Sequence, residues 1–332
     1  MKEVLSPDFF IRENIEEANL ERKGNILEVV NVSKRFGNVI ALEGVSLGVK
    51  ENTIFGLLGS NGAGKSTLLH IITGLLGYQK GEIHIFGKQV KNYSKSLKRR
   101  IAIVPQKISL YDDLSIKDNL FFFGKAYGIK TRFLLGKINE LRDILQLGDI
   151  KRKIKHLSGG YQRRVSLAVA LIGDPEILIL DEALVGIDLE TKMIIMNLLI
   201  ELKKSRTIII TTHAIDEAEM LCDYICFLHK GRKIIEGKTE DIISEYSPGQ
   251  VSTVHLHFKN SEFAEQIMQK LRANRINVEI EQNIISVVGD MKKVLDLLNI
   301  VSRNLESIGL LESIEIRKPG LEQVIFNIIK SY

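Results

Sequence analysis

Residues Thr53–Thr67 read TIFGLLGSNGAGKST, and the apolar-rich run LLHIITGLL, residues Leu68–Leu76, follows directly. A short apolar run closed by glycine reads as a buried strand, and the longer run after the loop as a helix. Between them Gly59-Ser60-Asn61-Gly62-Ala63-Gly64-Lys65-Ser66-Thr67 fits the spacing G-x-x-x-x-G-K-[ST] at a strand-to-helix junction. The glycines let consecutive backbone N–H groups curl toward one anion, and the helix start adds the positive end of its dipole. Lys65 supplies a mobile charge for β and γ phosphates, and the Ser66 hydroxyl stands where it can ligate Mg2+. A chance glycine-rich turn would not bring the whole pattern to such a junction.

Farther along, Ile177-Leu178-Ile179-Leu180-Asp181-Glu182 is an apolar run ending in two carboxylates. That places the acids at the C-terminal edge of a buried parallel strand, where ligands bind in α/β sheets. Asp181 is expected to hold Mg2+, and Glu182 to polarise a water attacking the γ phosphate of ATP. With the phosphate loop upstream, this pair is read as a Walker B motif.

Both motifs occur in many nucleotide hydrolases. Leu157-Ser158-Gly159-Gly160-Tyr161-Gln162, shortly before the acidic pair, resembles the signature sequence of the ATP-binding cassette (ABC) family. Ser158, Gly159 and Gly160 would offer a hydroxyl and backbone N–H groups to a γ phosphate at a helix start. Gln106 in IVPQ resembles the family's Q-loop glutamine, also implied as a metal-side ligand, and His213 in ITTH its switch histidine. Phe36 in KRFG stands in the adenine-stacking place, where only an aromatic face is needed. Alone, Gln106 would read as a solvated amide and His213 as a satisfied histidine; their order beside Lys65, Ser158 and Asp181 carries the resemblance.

The resemblance implies two cassettes clasped head to tail, with two ATP molecules held between the phosphate loop of one and the signature of the other. Catalytic roles then fall to Glu182, His213 and Lys65, and the second subunit is expected to be a further copy of the chain. The family's loop after the catalytic glutamate carries hydroxyl residues, whereas here Ala183-Leu184-Val185-Gly186-Ile187-Asp188 follows, retaining Asp188 but lacking the hydroxyls. Slower turnover or altered communication between sites is the expected consequence. Tyr161 also intrudes before Gln162.

The stretch Ser109–Ile116 with Asn119-Leu120 and Tyr127-Gly128 resembles cassettes of ABC-2 type exporters of drugs, lipids or polysaccharides, in the region that receives the permease. The stripe Phe121-Phe122-Phe123 with Tyr127 is read as core of the helical subdomain ahead of a docking groove. The ending Ile316-Arg317-Lys318-Pro319-Gly320-Leu321-Glu322-Gln323-Val324-Ile325 resembles the closing segment of the same exporters' C-terminal extension.

The expected fold is thus an α/β P-loop cassette, with a RecA-like core and a helical signature subdomain, followed by a small ferredoxin-like α+β domain. Residues 1–25 read as a polar extension, 26–246 as the cassette and 250–332 as the accessory domain. Ser247-Pro248-Gly249-Gln250 is the turn-forming break between the last two. After it the pattern runs strand Val251–Phe258, helix Glu262–Ala273, strands Asn277–Gln282 and Ile284–Val288, helix Met291–Leu305, strand Glu312–Arg317 and helix Leu321–Ser331, the split βαβ order.

In 332 residues with 45% apolar and 26% charged side chains, no apolar run reaches the length of a bilayer span, and the N-terminus lacks a signal-peptide core. The expected place is therefore the cytoplasm, peripheral on the inner face of the cell membrane through a separately encoded permease. A net charge of +5, with acids nearly matching bases, gives little support to nucleic-acid binding. Cys222 and Cys226 lack a second Cys/His pair at metal-binding spacing and read as buried thiols. Two competing readings are a non-transport cassette ATPase acting on ribosomes or DNA, which would usually carry paired cassettes or a coiled coil, and a nucleotide-dependent regulatory module.

Overall fold

The computed structural model describes residues 24–246, 252–273, 278–289, 295–299, 301, 311–317 and 320–331, so nearly all of the N-terminal extension lies outside the described residues. The chain divides into two compact units, one ending at Gly237 and the other beginning at Lys238. The sequence reading carried the first on to 246. The division comes earlier because helix Thr239–Glu245 packs against helix Leu321–Ser331 and so groups with the second unit.

The first unit opens with an antiparallel hairpin, β1 (Asn25–Phe36) and β2 (Val39–Lys50). Phe36 pairs with Val39 around the two-residue turn Gly37-Asn38, where Gly37 has φ +56°, the left-handed geometry such a turn requires. Next come β3 (Ile54–Leu58), β4 (Lys80–Ile85), β5 (Lys88–Gln89), β6 (Ile101–Val104), β7 (Ile177–Asp181), β8 (Thr207–Thr212), β9 (Tyr224–His229) and β10 (Arg232–Lys238). One sheet has the order β2-β1-β4-β5, the other β10-β9-β3-β8-β7-β6. The first of these sheets carries a weaker sequence signal than the second. Its residues alternate polar and apolar because one face is wet, so the apolar signal is half that of a buried strand.

In the six-stranded sheet β9, β3, β8, β7 and β6 run parallel. Every residue of β3, β7 and β8 is buried. Parallel strands are covered on both faces, which is why these sequences are nearly unbroken apolar runs. The register sets Leu58 beside Thr212 and Asp181 beside Thr211, so the ends of β3, β7 and β8 share one sheet edge. A single core joins Leu27, Val29 and Leu47 of the antiparallel sheet, Phe55 and Leu57 of β3, and Leu68, Leu69 and Ile72 of helix Lys65–Ile72. The helix that follows the phosphate loop is thereby fixed between the two sheets.

Helices Ile116–Ala126, Thr131–Ile144 and Gly159–Leu171 pack on one another as the helical subdomain. Gly124 permits the first contact, since a Cβ there would lie 2.3 Å from Leu134 Cδ1.

In the second unit β11 (Ser252–Phe258), β12 (Val278–Glu281), β13 (Ile284–Gly289) and β14 (Leu311–Arg317) form an antiparallel sheet in the order β12-β13-β11-β14. That is the strand order of a split βαβ unit. Val254, Leu256 and Phe258 alternate into a core with Ala264, Ile267 and Leu271 of helix Ser261–Ala273. Of the helix expected at Met291–Leu305, residues 295–299 and 301 are described and are helical.

Candidate functional site

The loop Gly59–Gly64 takes its shape from backbone that other residues rarely adopt: φ is +149° at Gly59, +79° at Gly62 and +104° at Gly64. A Cβ at Gly59 would meet the Leu228 carbonyl at 2.4 Å, and one at Gly64 the Ala41 carbonyl at 2.6 Å. Lys65 follows at the helix start and is 5% exposed. Its ammonium donates to the carbonyls of Gly59 (2.7 Å) and Ser60 (3.2 Å) and lies 3.6 Å from Glu182 Oε1.

Glu182 gathers the other groups. Gln106 Nε2 donates to its Oε2 at 2.8 Å, and His213 Nδ1 stands 3.9 Å from its Oε1. Beside it the Ser66 hydroxyl donates to Asp181 Oδ1 at 3.3 Å. A carboxylate and a hydroxyl sharing a hydrogen bond are a hard oxygen pair, the donor type Mg2+ takes when phosphates and water complete its octahedron. The residues present therefore fit a Mg2+–nucleotide: Ser66 and Asp181 on the ion, Lys65 and the loop amides on the phosphates, and Glu182 with Gln106 and His213 where a water would be turned.

Thr211, which sequence reasoning passed over, holds this pair of acids in place. Its hydroxyl donates to Asp181 Oδ1 at 2.7 Å and accepts from the Glu182 amide at 2.8 Å. Glu182 has φ +46°, an uncommon conformation for a residue with a side chain, and the Thr211 bond keeps its amide satisfied there. The available signal was the threonine pair before His213, which becomes readable only once the β7–β8 register is known. Thr211→Val preserves shape but removes both bonds. Thermal unfolding should show a loss of about 1–3 kcal/mol, and steady-state assays a turnover about tenfold lower because Glu182 is no longer aimed.

The signature residues form a second group. Ser158 caps helix Gly159–Leu171, its hydroxyl accepting from the Tyr161 amide at 3.3 Å. Gly160 is pressed against the end of the loop after Glu182, since a Cβ there would lie 2.7 Å from Asp188 Oδ2 and 2.9 Å from Thr191 Oγ1. Asp188 caps helix Leu189–Leu202 through the Thr191 amide at 2.8 Å. That amide, and then the Thr191 hydroxyl, hold the Asp188 carboxyl below its usual range. The cap is thus complete above the ordinary carboxylate pKa and is lost only as pH falls through the lowered one. Among the described residues, no hydrogen bond joins Ser158, Gly159 or Gly160 to residues 59–67. Phe36, 48% exposed at the hairpin tip, stands apart from both groups with Lys34 Nζ 5.1 Å from its ring centre.

Tyr161 has a structural role. Its hydroxyl donates to the Leu147 carbonyl, and its ring lies beneath the Arg164 guanidinium at 4.5 Å. In the altered loop Ala183 and Leu184 are buried while Val185 is 37% exposed. The two atypical apolar residues therefore differ, one filling core and the other facing out.

The ABC transporter family profile matches residues 42–185. Linearmycin resistance ATP-binding protein LnrL of Bacillus subtilis (strain 168) is 34% identical over 307 residues, which is 91% of this chain and 98% of that protein. The chain belongs to the ABC transporter ATP-binding proteins. This ABC ATPase is also 39% identical over 223 residues to Nod factor export ATP-binding protein I of Sinorhizobium fredii (strain NBRC 101917 / NGR234), covering 66% of this chain and 64% of that protein. A solved dimeric ATP-binding cassette, in a post-hydrolysis state bound to ADP and Pi, superimposes with a TM-score of 0.58 at 27% identity, over 64% of this chain and 98% of that one.

One expectation about the ABC subunit's surface needs correction. Phe122 is 47% exposed and forms an edge-on pair with Tyr111, itself 48% exposed, at 4.9 Å; Phe123 lies 5.3 Å from Phe122. The stripe Phe121–Phe123 is not wholly core, because three consecutive helical residues spread over about 200° and cannot share one face. Ile116, Asn119, Leu120 and Gly124 take the inner face instead. Buried Asn119 fixes the cluster by accepting from the Tyr111 amide at 2.9 Å and donating to its carbonyl at 3.1 Å. Cys222 and Cys226 form no disulfide and are buried, and burial pushes both thiols up, away from reactivity. Among the described residues no helix is long and apolar enough to cross a membrane.

Proposed function

We propose that this ABC ATPase powers an exporter whose permease is a separate polypeptide, working as a head-to-tail pair of copies with two Mg2+–ATP between them on the cytoplasmic face of the membrane. The similarity to Nod factor export ATP-binding protein I supports the exporter reading, and the near end-to-end similarity to LnrL supports a resistance-type cassette with the same C-terminal unit. The separation of the signature group from the chain's own phosphate loop supports the pair, since a γ phosphate on Lys65 would need a second copy to supply Ser158–Gly160.

On this reading Lys65 gives up its carbonyl contacts to phosphate oxygens, and the loop amides share the remaining charge. Ser66 and Asp181 would hold Mg2+, which would supply charge neutralisation at the phosphates. Glu182 orients the attacking water and takes up its proton, Gln106 keeps the Glu182 carboxylate turned toward the site, and His213 lies close enough to share the proton or bind the γ phosphate. Phe36 offers its exposed face to adenine. Closure is favoured because both phosphate loops and both signatures gain contacts only in the closed pair; cleavage removes the shared charge and reopens it.

The cluster Tyr111, Phe122 and Phe123 is the proposed seat of the permease. Its loop is tied to the run leading into the signature: the Ile116 amide donates to the Arg152 carbonyl at 3.0 Å and the Ile154 amide to the Leu114 carbonyl at 3.1 Å. Detergent extraction with and without ATP, followed by mass spectrometry of what accompanies the protein, tests the exporter reading. A polytopic permease is the expected companion; ribosomal or DNA-repair proteins without a permease would overturn it.

A further inference from the structure

Arg163 belongs to none of the motifs above, yet it is 6% exposed and placed between two of them. It lies on the signature helix, about one and a half turns after its Ser158 cap. From there Nη1 donates to the Pro105 carbonyl at 2.6 Å and Nη2 to the Gln106 carbonyl at 2.7 Å. Its Nε is buried without a partner. Burial alone pulls the guanidinium's pKa down, with no carboxylate offsetting the cost.

An apolar side chain could fill that space without removing a charge from water. What the guanidinium adds is a planar fork that fixes two successive carbonyls at once, in a way that a flexible chain cannot. The residue so fixed is Gln106, whose side-chain amide reaches Glu182 at 2.8 Å. The route from the signature cap to the carboxylate therefore consists of one helix, one guanidinium and one amide.

We infer that Arg163 is a positioning residue for hydrolysis: it ties the signature helix to the loop that aims Gln106 at Glu182, so that contact made at the signature is felt at the carboxylate of the same chain. The inference rests on the proposed roles of Glu182 and the signature.

The test is a double-mutant cycle on the full-length chain, measuring ATP turnover, the dissociation constant of a fluorescent ATP analogue and the Mg2+ concentration for half-maximal activity. Arg163→Met is expected to lower kcat about tenfold, leave nucleotide affinity within about twofold and raise the Mg2+ requirement. Arg163→Lys, which can reach one carbonyl, should recover part of the loss. In a Gln106→Ala background, Arg163→Met should cost less than about twofold more, since the amide it positions is gone. Equal losses in both backgrounds, unchanged kcat, or affinity and kcat falling together would overturn the inference. If Arg163→Met does not fold, Arg163→Lys in the same cycle decides by the same criterion. Glu182→Gln and Ser158→Arg are run alongside. Normal turnover in those controls would sink the underlying reading, whereas inert controls with an additive cycle would sink only the role of Arg163.

Discussion

Glu182→Gln is expected to lower ATP turnover by about 10²–10³-fold while leaving ATP affinity close to that of the unaltered protein. The substitution keeps length, planarity and the ability to accept from Gln106 Nε2, but removes the group that can take a proton from water. It also removes the negative partner that stands 3.6 Å from Lys65 and 3.9 Å from His213. Neither change removes a phosphate donor of the loop, Lys65 included, so binding should persist and closed pairs should accumulate. Retained turnover would assign water activation to another group, with His213 the nearest candidate.

Lys65→Ala should act on the other side of the cycle. A charge-assisted contact to phosphate contributes about 1.5–3 kcal/mol, so affinity for ATP is expected to fall by about ten- to 10²-fold, measurable by fluorescence titration. Turnover should fall further, because the same ammonium stabilises charge that builds up only as the phosphate bond breaks. The buried position makes the loss larger than at a surface, since water replaces the ammonium poorly at a group that is 5% exposed. Together the two variants separate binding from chemistry: one should lose affinity and rate, the other rate alone.

What could be read from the sequence follows from how far each feature reaches along the chain. Thr53–Thr67 and Ile177–Glu182 are local patterns in which burial on both faces and a required backbone shape leave a dense signal, and the structure brings their ends to one sheet edge. The antiparallel sheet is hard to read because β1 and β2 mix exposed and buried residues, which thins the apolar signal. The threonine pair holding Thr211 becomes readable only through strand register, and Arg163 acts through the carbonyls of residues 105 and 106, which no local pattern marks. Phe122 was misjudged for a different reason, since a run of three aromatics does not say which of them faces inward.

The claim that two chains build each ATP site is tested most directly by mixing two inactive proteins. A Lys65→Ala chain lacks a working phosphate loop but keeps its signature, and a Ser158→Arg chain has the opposite defect. Each alone should hydrolyse ATP at a small fraction of the normal rate. If phosphate loop and signature meet between copies, a mixed pair contains one intact site, and turnover should rise well above that of either protein as the two are combined. If the site is completed within a single chain, the mixture will show only the average of two inactive preparations, and the head-to-tail account would be wrong.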